Sequence, residues 1–199
     1  MLCYNYYNKK HCKGIKMKKL LILLLISAIS NAATIYIPNL QKESNVNINY
    51  NTDVYNNQIK KEIKYSNLFQ LYNHNYNYSV DKESGLKESS PNSIYPDFIL
   101  VGEIIDYSNE NLVSNIINTN KSSDVYSINI LVSYHLIRTK DNEIVAEFNS
   151  YGSGGNALLI DQDSSLTNPN RHNIPLLINK AAISLSNDVL INLNSTKIN

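Results

Sequence analysis

The chain has 199 residues, 43% of them hydrophobic and 18% charged, a balance that suits one globular domain with one core and excludes a disordered polyelectrolyte. Its formal charge of +1 hides an asymmetry: residues 1–32 carry six of the 18 basic residues and no acid, which leaves 12 basic against 17 acidic residues, a net charge of −5, in the remainder. A mildly acidic body without a basic patch makes nucleic acid an unsuitable partner.

The first element is an address. Lys16, Lys18 and Lys19 precede the apolar run Leu20-Leu21-Ile22-Leu23-Leu24-Leu25-Ile26, and small residues follow as far as Ser30-Asn31-Ala32-Ala33. A positive flank, a short apolar core and a small-x-small site make a Sec signal peptide cleaved near Ala32. Leu20 to Ile29 is about half as long as a bilayer-spanning helix needs to be, so a retained anchor is the weaker reading. Met17 opens the more typical signal, which makes 17–32 the signal peptide and 1–16 an upstream extension or a mis-assigned start. Cys3 and Cys12 both fall upstream, so the mature chain is expected to have no disulfide, no thiolate metal site and no lipid-accepting cysteine. The expected location is the periplasm or beyond the cell, with no transmembrane span in the mature chain. Outer-membrane association stays open, but without a lipid on cysteine to support it.

Residues 33–195 read as a single domain. Thr34-Ile35-Tyr36-Ile37 is a first strand, stopped by Pro38-Asn39. After an Asn-rich loop, Asn51 or Thr52 caps a helix to about Ser66, with Val54, Tyr55, Ile59 and Ile63 at helical spacing and Lys60, Lys61 and Lys64 on the wet side. Asn67 to Tyr72 is a second strand candidate. The Tyr/Asn stretch 73–79 after it is a half-buried strand or loop, or else an aromatic stacking platform. Residues 81–94, with Gly85, Pro91 and several serines, are expected to be a flexible connection.

Asp97 to Ile105 is almost continuously apolar, as in a strand covered on both faces or central in a sheet. Gly102 within it implies a bulge or a close neighbouring backbone. Residues 107–122 are polar and are expected to form a long loop at the end of the sheet. Tyr107, Asn109, Glu110, Asn111 and Asn115 in this loop are the candidate partner-contact residues. Tyr126, Ile128, Ile130, Val132, Tyr134 and Leu136 alternate with a largely polar set, Thr139-Lys140-Asp141-Asn142 makes a turn, and Glu143 to Phe148 returns as a hairpin. Gly152-Ser153-Gly154-Gly155 lacks the context of a phosphate cradle or a nucleophile elbow and reads as a flexible loop. Asn173 caps a last helix with Pro175 in its first turn and an apolar stripe of Ile174, Ile178, Ala181, Ala182, Leu185 and Val189. The expected fold is α/β in the α+β sense: a mixed, largely antiparallel sheet of about five strands with two helices packed on one face.

No catalytic, cofactor-binding or metal-binding constellation emerges. His74, His135 and His172 are far apart in sequence, with His135 on the polar side of its strand. Glu103 and Asp106, three apart in a strand, are expected on opposite faces. Asp161 and Asp163 lack the glycine and glutamate of a calcium loop.

The segments Asp97-Phe98-Ile99-Leu100-Val101-Gly102-Glu103-Ile104 and Ile130 to Val145, with Thr139-Lys140-Asp141-Asn142-Glu143 as their turn, resemble the CsgG/LpoB-type domain of bacterial envelope proteins. That family includes the curli-secretion protein CsgG and the penicillin-binding-protein activator LpoB. Asn142 stands where the family's turn has Gly, a place Asn tolerates. The resemblance implies a non-enzymatic protein that binds an envelope partner, a peptidoglycan synthase or a secretion component, and helps to assemble or activate a cell-wall or secretion machine. The alternative is a CsgG-like oligomeric secretion component. Against this alternative, no pair of long amphipathic pore hairpins is recognisable, since 107–122 and 152–172 are too polar.

Overall fold

A computed structural model describes residues 32–74, 76, 78–81, 85–89, 95–161 and 171–196. The upstream extension and all but the last residue of the expected signal peptide lie outside the described residues, as do Asn75, Asn77, Asp163 and parts of the 81–94 connection. Strands β1 (Thr34–Tyr36), β2 (Gln41–Lys42), β3 (Gln70–Leu71), β4 (Tyr78–Asp81), β5 (Gly85–Ser89), β6 (Phe98–Asn115), β7 (Lys121–Arg138) and β8 (Glu143–Asp161) are joined by helices α1 (Asp53–Ser66) and α2 (Ile174–Ser195). The main sheet runs β3-β1-β6-β7-β8, with β2 also paired to β6, while β4 and β5 form a separate hairpin. β1 is parallel to β3 and β6, and β6, β7 and β8 form an antiparallel meander. This is the expected mixed sheet with two helices. The β4–β5 hairpin replaces part of the flexible connection expected over 81–94.

Local chemistry accounts for the helix limits. Asn51 Oδ1 accepts from the Asp53 N–H at 2.8 Å, and Asn67 leaves α1 at a left-handed φ of 56°, a conformation that Asn takes at little cost. Asn173 Oδ1 accepts from the Leu176 N–H at 3.1 Å, and Pro175 occupies the first turn of α2. Tyr55, Ile59 and Ile63 of α1 and Leu177, Ala181, Ala182, Leu185 and Val189 of α2 share one buried cluster with Phe98, Leu100 and Ile104 of β6 and with Tyr126 to Leu136 of β7. Both helices therefore cover one face, called inner below. Each fully buried isoleucine or leucine there contributes about 1.5–3 kcal/mol. By length and composition α2 could cross a membrane, but its apolar stripe is spent on the sheet.

Two contacts fix the start of β6, one to β1 and one to the β7–β8 turn. Asp97 Oδ2 accepts from the Thr34 N–H at 2.7 Å and from its hydroxyl at 2.8 Å, while the Asp97 N–H donates back to Thr34 Oγ1 at 2.9 Å. The Thr139 hydroxyl donates to the Pro96 carbonyl. The β7–β8 turn ends with Asn142 at φ 62°, the left-handed geometry expected where the resembling family has glycine. β6 is covered on both faces, because Ile99 and Val101 join Ile137 and Tyr76 in a second cluster on the outer face.

The glycines behave differently from expectation. Gly152-Ser153-Gly154-Gly155 is not a loop but the middle of β8. A Cβ on Gly152 would lie 2.5 Å from the Ala181 carbonyl oxygen, and one on Gly154 would overlap the Leu177 carbonyl and lie 2.8 Å from Ala181 N. These residues let the α2 backbone sit directly on the strand, a tertiary demand with no local signature. At Gly102 the close neighbours are side chains: a Cβ would meet Leu40 Cδ2 and Tyr134 Cε1, each at 2.5 Å. The bulge in β6 lies just beyond, between Ile104 and Asp106.

Candidate functional site

The expected loop at 107–122 is strand for most of its length. β6 continues to Asn115, β7 begins at Lys121, and the two pair without a break from Asp106↔Leu131 to Asn115↔Ser122. Only 116–120 turn, closed by Ile116 N–H to Lys121 O at 3.0 Å and by Asn118 at φ 64°. β8 runs alongside to Asp161, which pairs with Lys121. The result is a three-stranded extension of the meander. Its β7 strand still buries Tyr126, Ile128 and Ile130, but on β6 beyond Tyr107 backbone pairing rather than an apolar face specifies the strand, so alternation fails as a signal there.

The bulge at Ile105 resets which side chains face out. Glu103 is opposite Ser133 and Asp106 opposite Leu131, and both partners point away from the buried row of β7. Glu103 and Asp106 therefore share the outer face, contrary to the expectation of opposite faces, because the extra residue restores the phase. Beyond the bulge, Tyr107, Asn109, Asn111 and Asn115 lie on the inner side and Glu110 on the outer side. The five expected contact residues do not form one patch. Tyr107 is half-buried against the core, with its phenol raised well above the ordinary value by burial and then by Tyr55, Tyr50 and Tyr126. Asn115 Oδ1 accepts from the Ser122 hydroxyl at 2.8 Å.

The side chains that do stand out went unremarked in the sequence. Leu112, Val125 and Ala157 form one cross-strand row on the outer face, and Leu159 lies in the next row. Leu112 is 65% exposed, Leu159 72% and Ile117 at the turn 86%. Glu110 and the Lys121–Asp161 ion pair stand beside them on the same face. Apolar residues left in water at the end of a projecting sheet, with polar groups around them, have the composition of a contact surface. Past Asp106 on β6, and along the free side of β8, no strand among the described residues pairs with the extension. The β6 edge therefore presents backbone N–H and C=O groups for pairing, whereas on β8 the Tyr151 N–H already donates to Asp188 Oδ2 at 2.9 Å and the Gly155 carbonyl accepts from Lys180 Nζ at 3.2 Å, which leaves that edge open only further along.

On the inner side the apolar core gives way to a polar one. His172 Nδ1 lies 2.6 Å from Asn156 Oδ1, and its ring stacks on Tyr126 with centroids 5.2 Å apart. Asp124 Oδ1 is 3.2 Å from His172 Nε2 with both side chains fully buried. This is close enough for a charge contact but not aligned as a hydrogen bond. The group closes the inner face and offers nothing to solvent. Sequence distance concealed the pairing. His135 faces Glu147 at 3.5 Å on the outer side and His74 packs edge-on against Tyr72. Among the described residues no three metal-ligating side chains gather.

No protein-family model matches the chain, and no curated protein matches it in sequence. Solved structures with a similar arrangement include the minor lipoprotein of Acinetobacter baumannii, at 12% identity over 82% of this chain and 92% of that one, with a TM-score of 0.43. A hypothetical protein of Chlamydia trachomatis is similar at 10% identity over 82% and 97%, TM-score 0.45. A Helicobacter pylori protein proposed to be a neuraminyllactose-binding hemagglutinin homolog is similar at 11% identity over 84% and 87%, TM-score 0.47.

Proposed function

We propose that this protein is a non-enzymatic component of the bacterial envelope that binds another envelope protein and assists the assembly or activation of a cell-wall or secretion machine, in the manner the LpoB-type resemblance implies. The observation that carries the reading is the three-stranded extension, with Leu112, Ile117 and Leu159 exposed near its end. The signal-peptide reading of residues 17–32 puts that surface among envelope proteins. Crosslinking in the native periplasm, followed by affinity recovery of the protein, tests it. Recovery of a peptidoglycan synthase or a secretion component, lost when Leu112 and Ile117 are changed to Ser, is expected. Recovery that is indifferent to both changes contradicts the reading.

A second reading, a CsgG-like homo-oligomer, is favoured by one observation: among the described residues no strand pairs with the extension on the outer side of β6 or of β8, while α2 side chains occupy the β8 edge at Tyr151 and Gly155. Edge-to-edge contacts of that kind are heterologous and close into rings when the rotation permits. Strand length is no obstacle, for β6, β7 and β8 have 18, 18 and 19 residues, where the sequence suggested no long hairpins. The chemistry of a lipid-facing barrel is still missing, because the outer series Asp106, Ser108, Glu110, Leu112, Ser114 is mostly polar. A ring would therefore assemble in water. Light scattering on the purified protein separates the two readings by mass.

A further inference from the structure

The Tyr/Asn stretch is part of a groove away from the extension. The groove has a volume of about 470 Å³ and is lined by Tyr36 at the end of β1 with Pro38 and Asn39 beyond it, by Leu71, Tyr72, Asn73 and His74 at β3, by Tyr78 of β4 and by Lys60 of α1. That size falls within the range of small-ligand sites. Its position has a topological cause. β1, α1 and β3 form a parallel strand–helix–strand unit, with β6 paired to the other side of β1. The groove opens at the carboxyl ends of β1 and β3, the place where diverging connections leave a crevice in a parallel sheet.

The lining has two chemistries. Tyr36 is the hub of the aromatic part: the rings of Tyr72, Tyr76 and Tyr78 lie edge-on to it at 6.3, 5.9 and 6.0 Å. This packing holds Tyr36, Tyr72 and Tyr78 rigid while leaving each partly exposed. Tyr76 and Tyr78 are parallel to within 4° with centroids 6.3 Å apart, but Tyr76 is buried, so no open slot is left between them for a flat ligand. The electron-rich faces of the partly exposed rings are suited to the electropositive C–H face of a puckered ring. The polar part is made of the amides of Asn39 and Asn73 and the imidazole of His74, all exposed at the rim, with Asn39 Oδ1 already accepting from Asn56 Nδ2 at 3.1 Å, which leaves its NH2 as donor. Lys60 is the one ordinarily charged side chain among the described lining residues. It is half-buried, burial pulls its ammonium below the ordinary value against the opposing influence of Asp53, and it makes no salt bridge among the described residues.

From this juxtaposition we infer that the groove at the ends of β1 and β3 binds a saccharide, with a carboxylate on the sugar directed to Lys60. The tyrosine faces carry the sugar's C–H side, the amides and His74 take hydroxyls, and the cation selects acidic over neutral sugars. The site is independent of the protein-contact surface proposed above.

Saturation-transfer NMR on the purified protein, with digalacturonic acid and lactose as probes, tests it. Transfer to sugar ring protons is expected for digalacturonic acid, with a weaker signal for lactose. Lys60→Gln should weaken digalacturonic acid about tenfold, the loss of one charge-assisted hydrogen bond, and leave lactose unchanged. Asn73→Ala should weaken both. Tyr65→Ala, at an exposed tyrosine of α1 outside the groove, should alter neither, and circular dichroism of each variant confirms that the fold is intact. Absence of transfer to both sugars, or binding that Lys60→Gln leaves untouched, or binding that Tyr65→Ala removes, overturns the assignment.

Discussion

Alanine substitutions at Gly154 and Gly155 add the same methyl group one residue apart on β8, yet should have opposite outcomes. Gly154 faces α2, where the new Cβ would overlap the Leu177 carbonyl group and lie 2.8 Å from Ala181 N. Those atoms belong to a helix backbone and cannot rotate aside, so α2 must lift from the sheet over residues 177–181 and surrender contacts of fully buried Leu177 and Ala181. Overpacking of this kind costs about 1–3 kcal/mol, and a rigid obstacle belongs at the upper end, about 3 kcal/mol. At Gly155 the nearest atom to the new Cβ is Tyr126 O at 3.4 Å, with Ser127 Cβ at 3.6 Å. The methyl fits, and a narrower unfolded ensemble gives back roughly 0.4–1 kcal/mol. With a urea m-value of about 2 kcal/mol per molar, Gly154→Ala should lower the unfolding midpoint by about 1.5 M, while Gly155→Ala should leave it unchanged or raise it slightly. Equal shifts for the two variants would mean that α2 does not rest on this strand in this register, and the explanation of the glycines would fail.

Other substitutions test other joints. Removing either partner of the buried Asp124–His172 pair, by Asp124→Ala or His172→Ala, should cost about 1–3 kcal/mol, because the survivor is left as a buried polar group without its neighbour; thermal melts showing less than about 0.5 kcal/mol for both would refute the pairing. Asn142→Gly should be neutral and Asn142→Val should lose about 1–2 kcal/mol, since φ is 62° there; urea midpoints give the comparison. Burial, then Tyr50, pushes the Tyr55 phenol up to about 12, and burial, then Tyr36, pushes Tyr78 up to about 12. The folded protein thus holds protons that the unfolded chain releases near pH 10. Stability is full below that pH and drains as pH rises from about 10 toward 12, which urea midpoints at pH 8 and 11 should register as a fall.

Much of the fold was legible where one face of an element meets the core. The stripes of α1 and α2 and the alternation from Tyr126 to Leu136 are direct images of burial, and Asn142 and Pro175 mark backbone geometry that any context would impose. The extension was illegible for the converse reason. Neither face of 108–115 is buried in an apolar core, so the strand is held by its ladder and its polar side chains imitate a loop. The glycines of β8 look like a loop for a related reason, since only the seat of α2 explains them. The bulge at Ile105 is invisible until β6 is set against β7, and with it goes the assignment of faces for Glu103, Asp106 and every residue from Tyr107 to Asn115. Asp97, read as part of a family motif, is a structural clamp on Thr34. Leu112 and Ile117 could have been noticed as apolar residues isolated in a polar run, but their exposure depends on that run being a strand.

The claim that the extension is the contact surface is tested most directly by site-specific photo-crosslinking in living cells, with the photoreactive residue placed at 112, 117, 65 or 183. Positions 112 and 117 lie on the extension, while Tyr65 on α1 and Ile183 on α2 are 69% and 47% exposed elsewhere. The account predicts discrete adducts of one size from 112 and 117 and none of that size from 65 and 183. Adducts from the helix positions with none from the extension would contradict it.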